Sequence, residues 1–305
     1  MSKRIHSFVR RAALVLAGIS LGCGPLAAAP EELPPLTNIS GSPRLPGKFV
    51  WGDLVTSDAA AARKFYGRLL GWTFLDYGTG PDAYTIAMNE ERPLCGIVQA
   101  PPRAGTNGHP RWVGYISVPS VARAQKAVLK AGGKEFVAPR KFPKRGEQAI
   151  FADPEGAVFG VMTSSSGDPE DFLADPGDWI WIQLLCRDAR KAAEFYRAVA
   201  GYEVAENSNS QRENDYVLVS EKFARATIME IPKNNPQMRS AWLPFVRVKN
   251  VAASVTQAEQ LGGKVLLAPR PDLFEGRIAV VADPTGAAIG LLEWTGTVKA
   301  GGAQP

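Results

Sequence analysis

The chain repeats itself at a constant offset of 130 residues. Trp51, Asp58, Phe65-Tyr66 and Gly71 recur as Trp181, Asp188, Phe195-Tyr196 and Gly201. Trp112 recurs as Trp242, Gly132-Gly133-Lys134 as Gly262-Gly263-Lys264, and Ala138-Pro139-Arg140 as Ala268-Pro269-Arg270. Asp153-Pro154 with Gly156-Ala157 returns as Asp283-Pro284 with Gly286-Ala287. A period of this length exceeds any solenoid unit and matches an ordinary domain, so the chain reads as two copies of one domain of roughly 115 residues.

Residues outside the repeat fall into processing and linking segments. Residues 1–29 form an export signal: Lys3, Arg4, Arg10 and Arg11 precede an uncharged apolar run from Ala12 to Leu21 that is short for a membrane span. Gly22-Cys23 has the look of a lipoprotein box, which makes Cys23 the lipidation candidate and a lipid anchor one possible route to the membrane. Ser20 departs from the usual box, and Ala27-Ala28-Ala29 offers an ordinary signal-peptidase site instead. Either route places the mature protein in the periplasm, or on its membrane as a lipoprotein, of a bacterium. Residues 30–47 read as a flexible tether, 48–163 as the first domain, 164–178 as a linker, 179–295 as the second domain and 296–305 as a disordered tail.

Charge and cysteine content exclude more than they suggest. The formal charge of +5 includes four positive residues of the export signal, and the mature chain keeps about +1. There is no basic track for a nucleic acid, and Lys141, Lys144 and Arg145 read as a solvated loop. Beyond Cys23 only Cys95 and Cys186 remain, and they read as unpaired, part-buried thiols. Oligomeric state is open at this level.

Each domain divides again. In the first, Phe49 to Val55 is strand-like, and Asp58 or Ser57 caps a helix with Ala62, Phe65, Tyr66 and Leu69 on one face before Gly71 ends it. Strands are expected near Thr73–Tyr77, Tyr84–Met88 and Gly96–Gln99. The second half repeats the order: a strand at Trp112–Val118, a helix from Ser120 to Ala131, then strands near Glu135–Ala138, Gln148–Ala152 and Val158–Met162. The chain is therefore four copies of strand, helix, three strands.

That βαβββ order, with Asp58, Phe65-Tyr66, Gly71-Trp72 and the closing Asp153-Pro154-Glu155-Gly156-Ala157, resembles the vicinal oxygen chelate (VOC) superfamily of glyoxalases, bleomycin-resistance proteins and extradiol dioxygenases. The resemblance covers nearly all of residues 48–294. It implies an α+β fold of tandem VOC domains, each made of two βαβββ modules whose sheet curves around a cavity. Catalytic members hold a divalent metal there, and binding members hold a ligand without one. Counting from the motifs places the metal-ligand positions of the superfamily at Trp51, Gly96, Val113 and Gly160, and at Trp181, Ala226, Leu243 and Gly290. None of these side chains is a metal donor, so no metal and no cofactor is expected. Glu230 is the one carboxylate a small slip of register could bring in.

Strand alternation puts Asp53 and Tyr115 on the same face as Trp51, with Gln183 and Phe245 beside Trp181 in the second copy. Together with Trp112 these are the ligand-binding candidates, and catalytic residues are unknown. A carboxylate and a phenol facing an enclosed aromatic space suit orientation of a polar ligand or transfer of a proton. The competing assignment makes Asp53 a structurally bonded group and the tryptophans core. His109, the one histidine outside the signal, stands before Pro110 in a Gly-Asn-rich stretch and reads as a surface residue. Gly132-Gly133 ends a helix instead of starting one and is no phosphate loop. Three functions follow: the leading one is an exported, metal-free binder of a small organic molecule; the alternatives are a lyase or dioxygenase-type enzyme using displaced metal ligands or Asp/Tyr acid-base chemistry, and an envelope interaction module with vestigial cavities.

Overall fold

The computed structural model describes residues 33–37, 41–78, 83–100, 110–207 and 215–294. The export signal with Cys23, the stretch containing His109 and the tail from 295 lie outside them.

The first repeat runs β1 (Phe49–Thr56), α1 (Ala59–Leu70), β2 (Thr73–Tyr77), β3 (Tyr84–Asn89), β4 (Arg92–Gln99), then β5 (Arg111–Ser117), α2 (Val121–Lys130), β6 (Lys134–Phe142), β7 (Gly146–Ala152) and β8 (Val158–Ser164). The second runs β9 (Trp179–Cys186), α3 (Ala189–Ala200), β10 (Glu203–Glu206), β11 (Tyr216–Ser220), β12 (Phe223–Glu230), then β13 (Ala241–Val248), α4 (Val251–Gln260), β14 (Lys264–Leu267), β15 (Ile278–Ala282) and β16 (Ala288–Glu293). Each repeat makes one eight-stranded mixed sheet, ordered β2-β3-β4-β1-β5-β8-β7-β6 and β10-β11-β12-β9-β13-β16-β15-β14. This is the tandem α+β architecture of two βαβββ modules per domain.

Local chemistry sets the helix ends. Asp58 and Asp188 sit in extended backbone and accept from Ala61 N and Lys191 N, while Ser120 and Asn250 do the same for Arg123 N and Ala253 N. Such side-chain caps satisfy amide donors that the first turn leaves free. Gly71 and Gly201 end α1 and α3 in the left-handed region, at φ 78° and 76°, where a Cβ would be strained. β4 starts at Arg92, four residues before the strand expected from Gly96, and β6 continues past Ala138 to Phe142. β6 tolerates Pro139 because it is an edge strand, where a missing N–H breaks no ladder, and the pairing shifts register between Val137 and Arg140.

The helix-bearing faces of the two sheets pack on each other within the chain. Module two meets module three in one buried cluster: Val121, Ala124 and Val128 of α2, Phe151 and Phe159, and Phe195, Tyr196 and Val199 of α3. Module one meets module four in the other, where Phe65, Tyr66 and Leu69 of α1 face Val251, Val255 and Ala258 of α4. Each fully buried aromatic or aliphatic side chain contributes on the order of 1.5–3 kcal/mol of transfer free energy.

The repeated Phe-Tyr and Asp-Pro motifs meet at this interface. Tyr196 OH donates to Asp153 Oδ2, and reciprocally Tyr66 OH donates to Asp283 Oδ2, each at 3.1 Å. Asp153 Oδ1 meanwhile accepts from Glu155 N and Ala157 N to close its turn. The Asp-Pro-x-Gly sequence therefore serves both the hairpin and the junction between domains. Cys95 and Cys186 are free thiols, fully buried in different clusters, and burial pushes both thiols up.

Two connecting segments are packed. Leu33 and Leu36, from the stretch expected to be a tether, are buried against the helix-free face of the first sheet, and Thr37 N donates to Ser166 Oγ. In the linker, Asp178 is fully buried and its carboxylate takes bonds from Asn89 Nδ2, Arg92 Nη2 and Asp175 N.

Candidate functional site

The face of each sheet turned away from the helices carries the expected positions. Parallel pairing of β1 with β4 sets Asp53 beside Gly96, and antiparallel pairing with β5 sets Trp51 beside Tyr115 and Asp53 beside Val113. Tyr115 in turn pairs with Gly160 of β8. Trp51, Asp53 and Tyr115 are thus brought together, as alternation predicts.

They form one hydrogen-bonded group with a residue the sequence did not single out, Tyr84 of β3. Trp51 Nε1 donates to Asp53 Oδ1 at 3.0 Å and to Tyr84 OH at 2.8 Å. Tyr84 OH donates to Asp53 Oδ1 at 2.6 Å, and Tyr115 OH donates to Asp53 Oδ2 at 2.8 Å. Burial, and after it the Asp53 charge, push both phenols well above their ordinary pKa, so they stay protonated and donate. Three donors hold the Asp53 side chain in place, and the Asp53–Tyr115 pair is satisfied internally.

Arg145 departs from expectation. Lys141 and Lys144 are exposed as a solvated loop should be, but Arg145 is 1 % exposed. The β6–β7 turn bonds Arg145 N to Phe142 O and places Gly146 at φ 114°, and the side chain folds back so that its guanidinium carbon lies 4.3 Å from the centre of a Trp51 ring. The gain is a cation–π contact in a desolvated place, which a reading of local polarity cannot anticipate. Nε and Nη2 are buried with no hydrogen-bond partner.

Trp112 does not belong to this face. It pairs with Leu54, one step out of phase with Trp51 and Asp53, and packs at the domain interface 5.0 Å from Trp179 and 5.6 Å from Tyr66, ring centre to ring centre. An odd position on β5 faces the site and an even one faces the helices, so Trp112 is core.

In the second domain Trp181, Gln183 and Phe245 share the equivalent face, with Trp181 beside Phe245 and Gln183 beside Leu243. Here the register correction is one residue: Thr227, not Ala226, pairs with Gln183, and Ala226 is buried toward the helices. The loop before β11 is longer than its counterpart, and a shift of one flips every side chain of a strand. Trp181 Nε1 donates to Thr227 Oγ1 at 3.0 Å, and Gln183 Nε2 contacts Met229 Sδ. Glu230 stays off this face; its Oε1 accepts from Ala189 N at the start of α3, as Gln99 Oε1 does from Ala59 N at α1. The buried centre is Leu243, Phe245 and Ile278, with Ile180, Trp181, Leu185, Val280 and Leu292 only partly covered around it.

These residues do not fit a metal. A Cβ on Gly96 would stand 2.0 Å from Tyr84 OH and 2.3 Å from Asp53 Oδ1, and one on Gly160 would stand 2.3 Å from the Tyr115 ring. In the second domain a Cβ on Gly290 would stand 2.1 Å from the Phe245 ring. Aromatic side chains fill the space where a ligating side chain would begin, and Trp51, Val113, Trp181 and Leu243 have no donor to offer. Among the described residues no three His, Cys, Asp or Glu side chains converge.

Comparison with known proteins places this geometry in a family. The protein named "Putative glyoxylase CFP32" from Mycobacterium bovis is 29% identical over 245 residues, covering 80% of this chain and 93% of that one. The anthracycline biosynthesis protein DauV of Streptomyces sp. (strain C5) is 29% identical over 262 residues, covering 81% and 94%. Among solved structures, the Mn(II)-bound glyoxalase of Novosphingobium aromaticivorans shares the fold with a TM-score of 0.53 at 15% identity, covering 82% of each chain. The homoprotocatechuate 2,3-dioxygenase of B. fuscum does so at 0.54 and 12%, covering 85% of this chain and 74% of that one. Residues 50–162 and 179–292 each match the glyoxalase-like domain, and the chain therefore belongs to the glyoxalase-like family of the VOC superfamily, with two copies of its domain.

Proposed function

We propose that this is an exported glyoxalase-like protein that binds a small organic molecule on the helix-free faces of its domains without a bound metal. The observation that carries the reading is the half-covered apolar face of the second domain. Trp181, Ile180, Leu185 and Leu292 remain partly exposed around the buried Phe245 and Leu243, with the Gln183 amide and the Thr227 hydroxyl as the polar groups among them. Apolar walls with few polar groups are the composition of small-molecule sites. Aromatic surfaces of this kind suit a flat organic ligand, which also accords with a relative named for anthracycline biosynthesis. Export rests on the basic and apolar segments of residues 1–29.

The test combines native mass spectrometry of protein purified from its own host with 19F spectra of 5-fluorotryptophan-labelled protein, in which Trp181 is assigned through Trp181→Phe. A co-purifying organic molecule that perturbs the Trp181 resonance, and is lost from Trp181→Ala, supports the reading. Protein that carries no small molecule and whose Trp181 resonance ignores a panel of phenols, benzoates and benzamides overturns it. Fractionation that finds full-length chain in the cytoplasm overturns export.

A further inference from the structure

We propose that Arg145 anchors a carboxylate-binding site on the helix-free face of the first domain, with a small organic monocarboxylate as its ligand. The inference rests on the proposed small-molecule reading but concerns the other domain and names the chemical class it takes.

A buried cation on this face makes no direct ion pair. Arg145 is 99% removed from solvent, and no carboxylate lies within ion-pair distance of it among the described residues. Its contact with Trp51 uses the flat face of the guanidinium. The edge remains, and the two nitrogens without a partner are Nε and Nη2. Their hydrogens project side by side, which makes them the fork that receives a carboxylate through two parallel bonds. A buried cation whose fork stays empty lacks hydrogen bonds that water would have given it, and a bound carboxylate restores them.

The surroundings decide what kind of acceptor fits. Asp53 does not meet the fork: its oxygens receive Trp51, Tyr84 and Tyr115, and neither Nε nor Nη2 of Arg145 bonds to it. Those three donors are fixed on Asp53, so the guanidinium fork is the free donor set of the face. The fork receives one carboxylate through two bonds, and a dianion such as phosphate would bring a further negative charge into a low-dielectric place that already holds Asp53. Trp51, Phe142 and Met162 in the same buried cluster provide apolar walls for the rest of the ligand. Leu33 and Leu36 cover that cluster, and a ligand that enters past them must move them aside. The second domain cannot do the same: the position 130 residues on is Glu275, exposed in its loop and paired with Arg277 at 3.0 Å.

The test uses the full mature chain, with benzoate, phenylacetate and salicylate as probes and their primary amides as uncharged controls. The Arg145 Nε–H resonance, assigned by its disappearance in Arg145→Lys, reports binding at the fork, and the Trp181 resonance reports the second domain. At least one acid is expected to shift Arg145 Nε–H and to bind tenfold or more tightly than its amide. Arg145→Lys keeps the charge and loses the fork, and is expected to weaken that acid at least tenfold while leaving any response at Trp181 intact. Arg145→Met checks folding: its circular dichroism should keep the native form while affinity for the acid is lost with the fork. The proposal is overturned if no acid shifts Arg145 Nε–H, if acid and amide bind alike, or if Arg145→Lys leaves acid affinity unchanged. A ligand that moves Trp181 alone preserves the small-molecule reading while the carboxylate site falls.

Discussion

Replacing Asp53 by Asn tests whether the polar group of the first domain is held together by its charge. The carboxylate accepts bonds from Trp51 Nε1, Tyr84 OH and Tyr115 OH at 3.0, 2.6 and 2.8 Å. Hydrogen bonds to a charged acceptor contribute about 1.5–3 kcal/mol each and neutral ones about 0.5–1.5, so neutralising the acceptor removes about 1 kcal/mol per bond. Asn also sets an NH2 group against one of the donor hydroxyls, which must turn away or go unpaired. The total is about 3–4 kcal/mol, and at roughly 2–4 °C per kcal/mol for a folded body of this size the melting temperature should fall by about 6–16 °C. The assay is calorimetry and urea unfolding of wild type, Asp53→Asn, Tyr115→Phe and the double variant Asp53→Asn with Arg145→Met. Tyr115→Phe loses a single bond and should fall by about half as much. The double variant should recover part of the loss, because it removes the cation that Asp53→Asn leaves without a nearby negative charge. Full stability in Asp53→Asn would falsify the idea that the charge organises this face. A loss in the double variant equal to the sum of the singles would show that Asp53 and Arg145 do not sense each other.

The junction between domains should depend on both of its tyrosines. Tyr196→Phe leaves Asp153 Oδ2 and Trp242 Nε1 without their partner, and Tyr66→Phe removes the hydroxyl that meets Asp283 Oδ2 and lies against Trp112. At about 1–3 kcal/mol per orphaned buried group, urea unfolding should show each variant clearly destabilised, and full stability in either would refute this. Gly96→Ala should cost about 1–3 kcal/mol through overpacking against Tyr84 and Asp53, read as a lowered melting temperature, while Gly71→Ala, with nothing near its Cβ, should cost only its left-handed strain. Asp188 caps α3, and its bonds from the Lys191 side chain and backbone lower its pKa; the stabilisation is present above the ordinary Asp range and lost as pH falls through the lowered value. Thermal unfolding of Asp188→Ala should therefore differ from wild type near neutral pH and converge with it in strong acid. The serine double variant Leu33→Ser with Leu36→Ser should speed ligand association at Arg145 in stopped-flow measurements; an unchanged rate would mean that this segment does not gate the face. Elemental analysis after gentle purification should find well under one divalent ion per chain, and a stoichiometric metal lost together with stability would overturn the metal-free assignment.

What the sequence determined was the part governed by periodicity and local chemistry. The offset of 130 residues gave the domain count, and the Asp caps and Gly stops gave the helix ends, because capping and left-handed backbone are decided within a few residues. Alternation along β1 and β5 put Trp51, Asp53 and Tyr115 on one face, and the same alternation, applied to Trp112, would have placed it on the other. Four things needed the tertiary structure. Thr227 displaced Ala226 because a strand's register is set by loop length and by pairing across the sheet, which a linear count cannot follow. Tyr84 joined Asp53 from a strand two positions away in the sheet, a contact with no sequence period. The Asp-Pro turns proved to bind tyrosines of the opposite domain, which only domain docking could bring within reach. Arg145, a charged residue in a polar turn, is buried because the hairpin folds it over an indole 94 residues away in the chain. Local polarity predicts exposure, and long-range packing decides it.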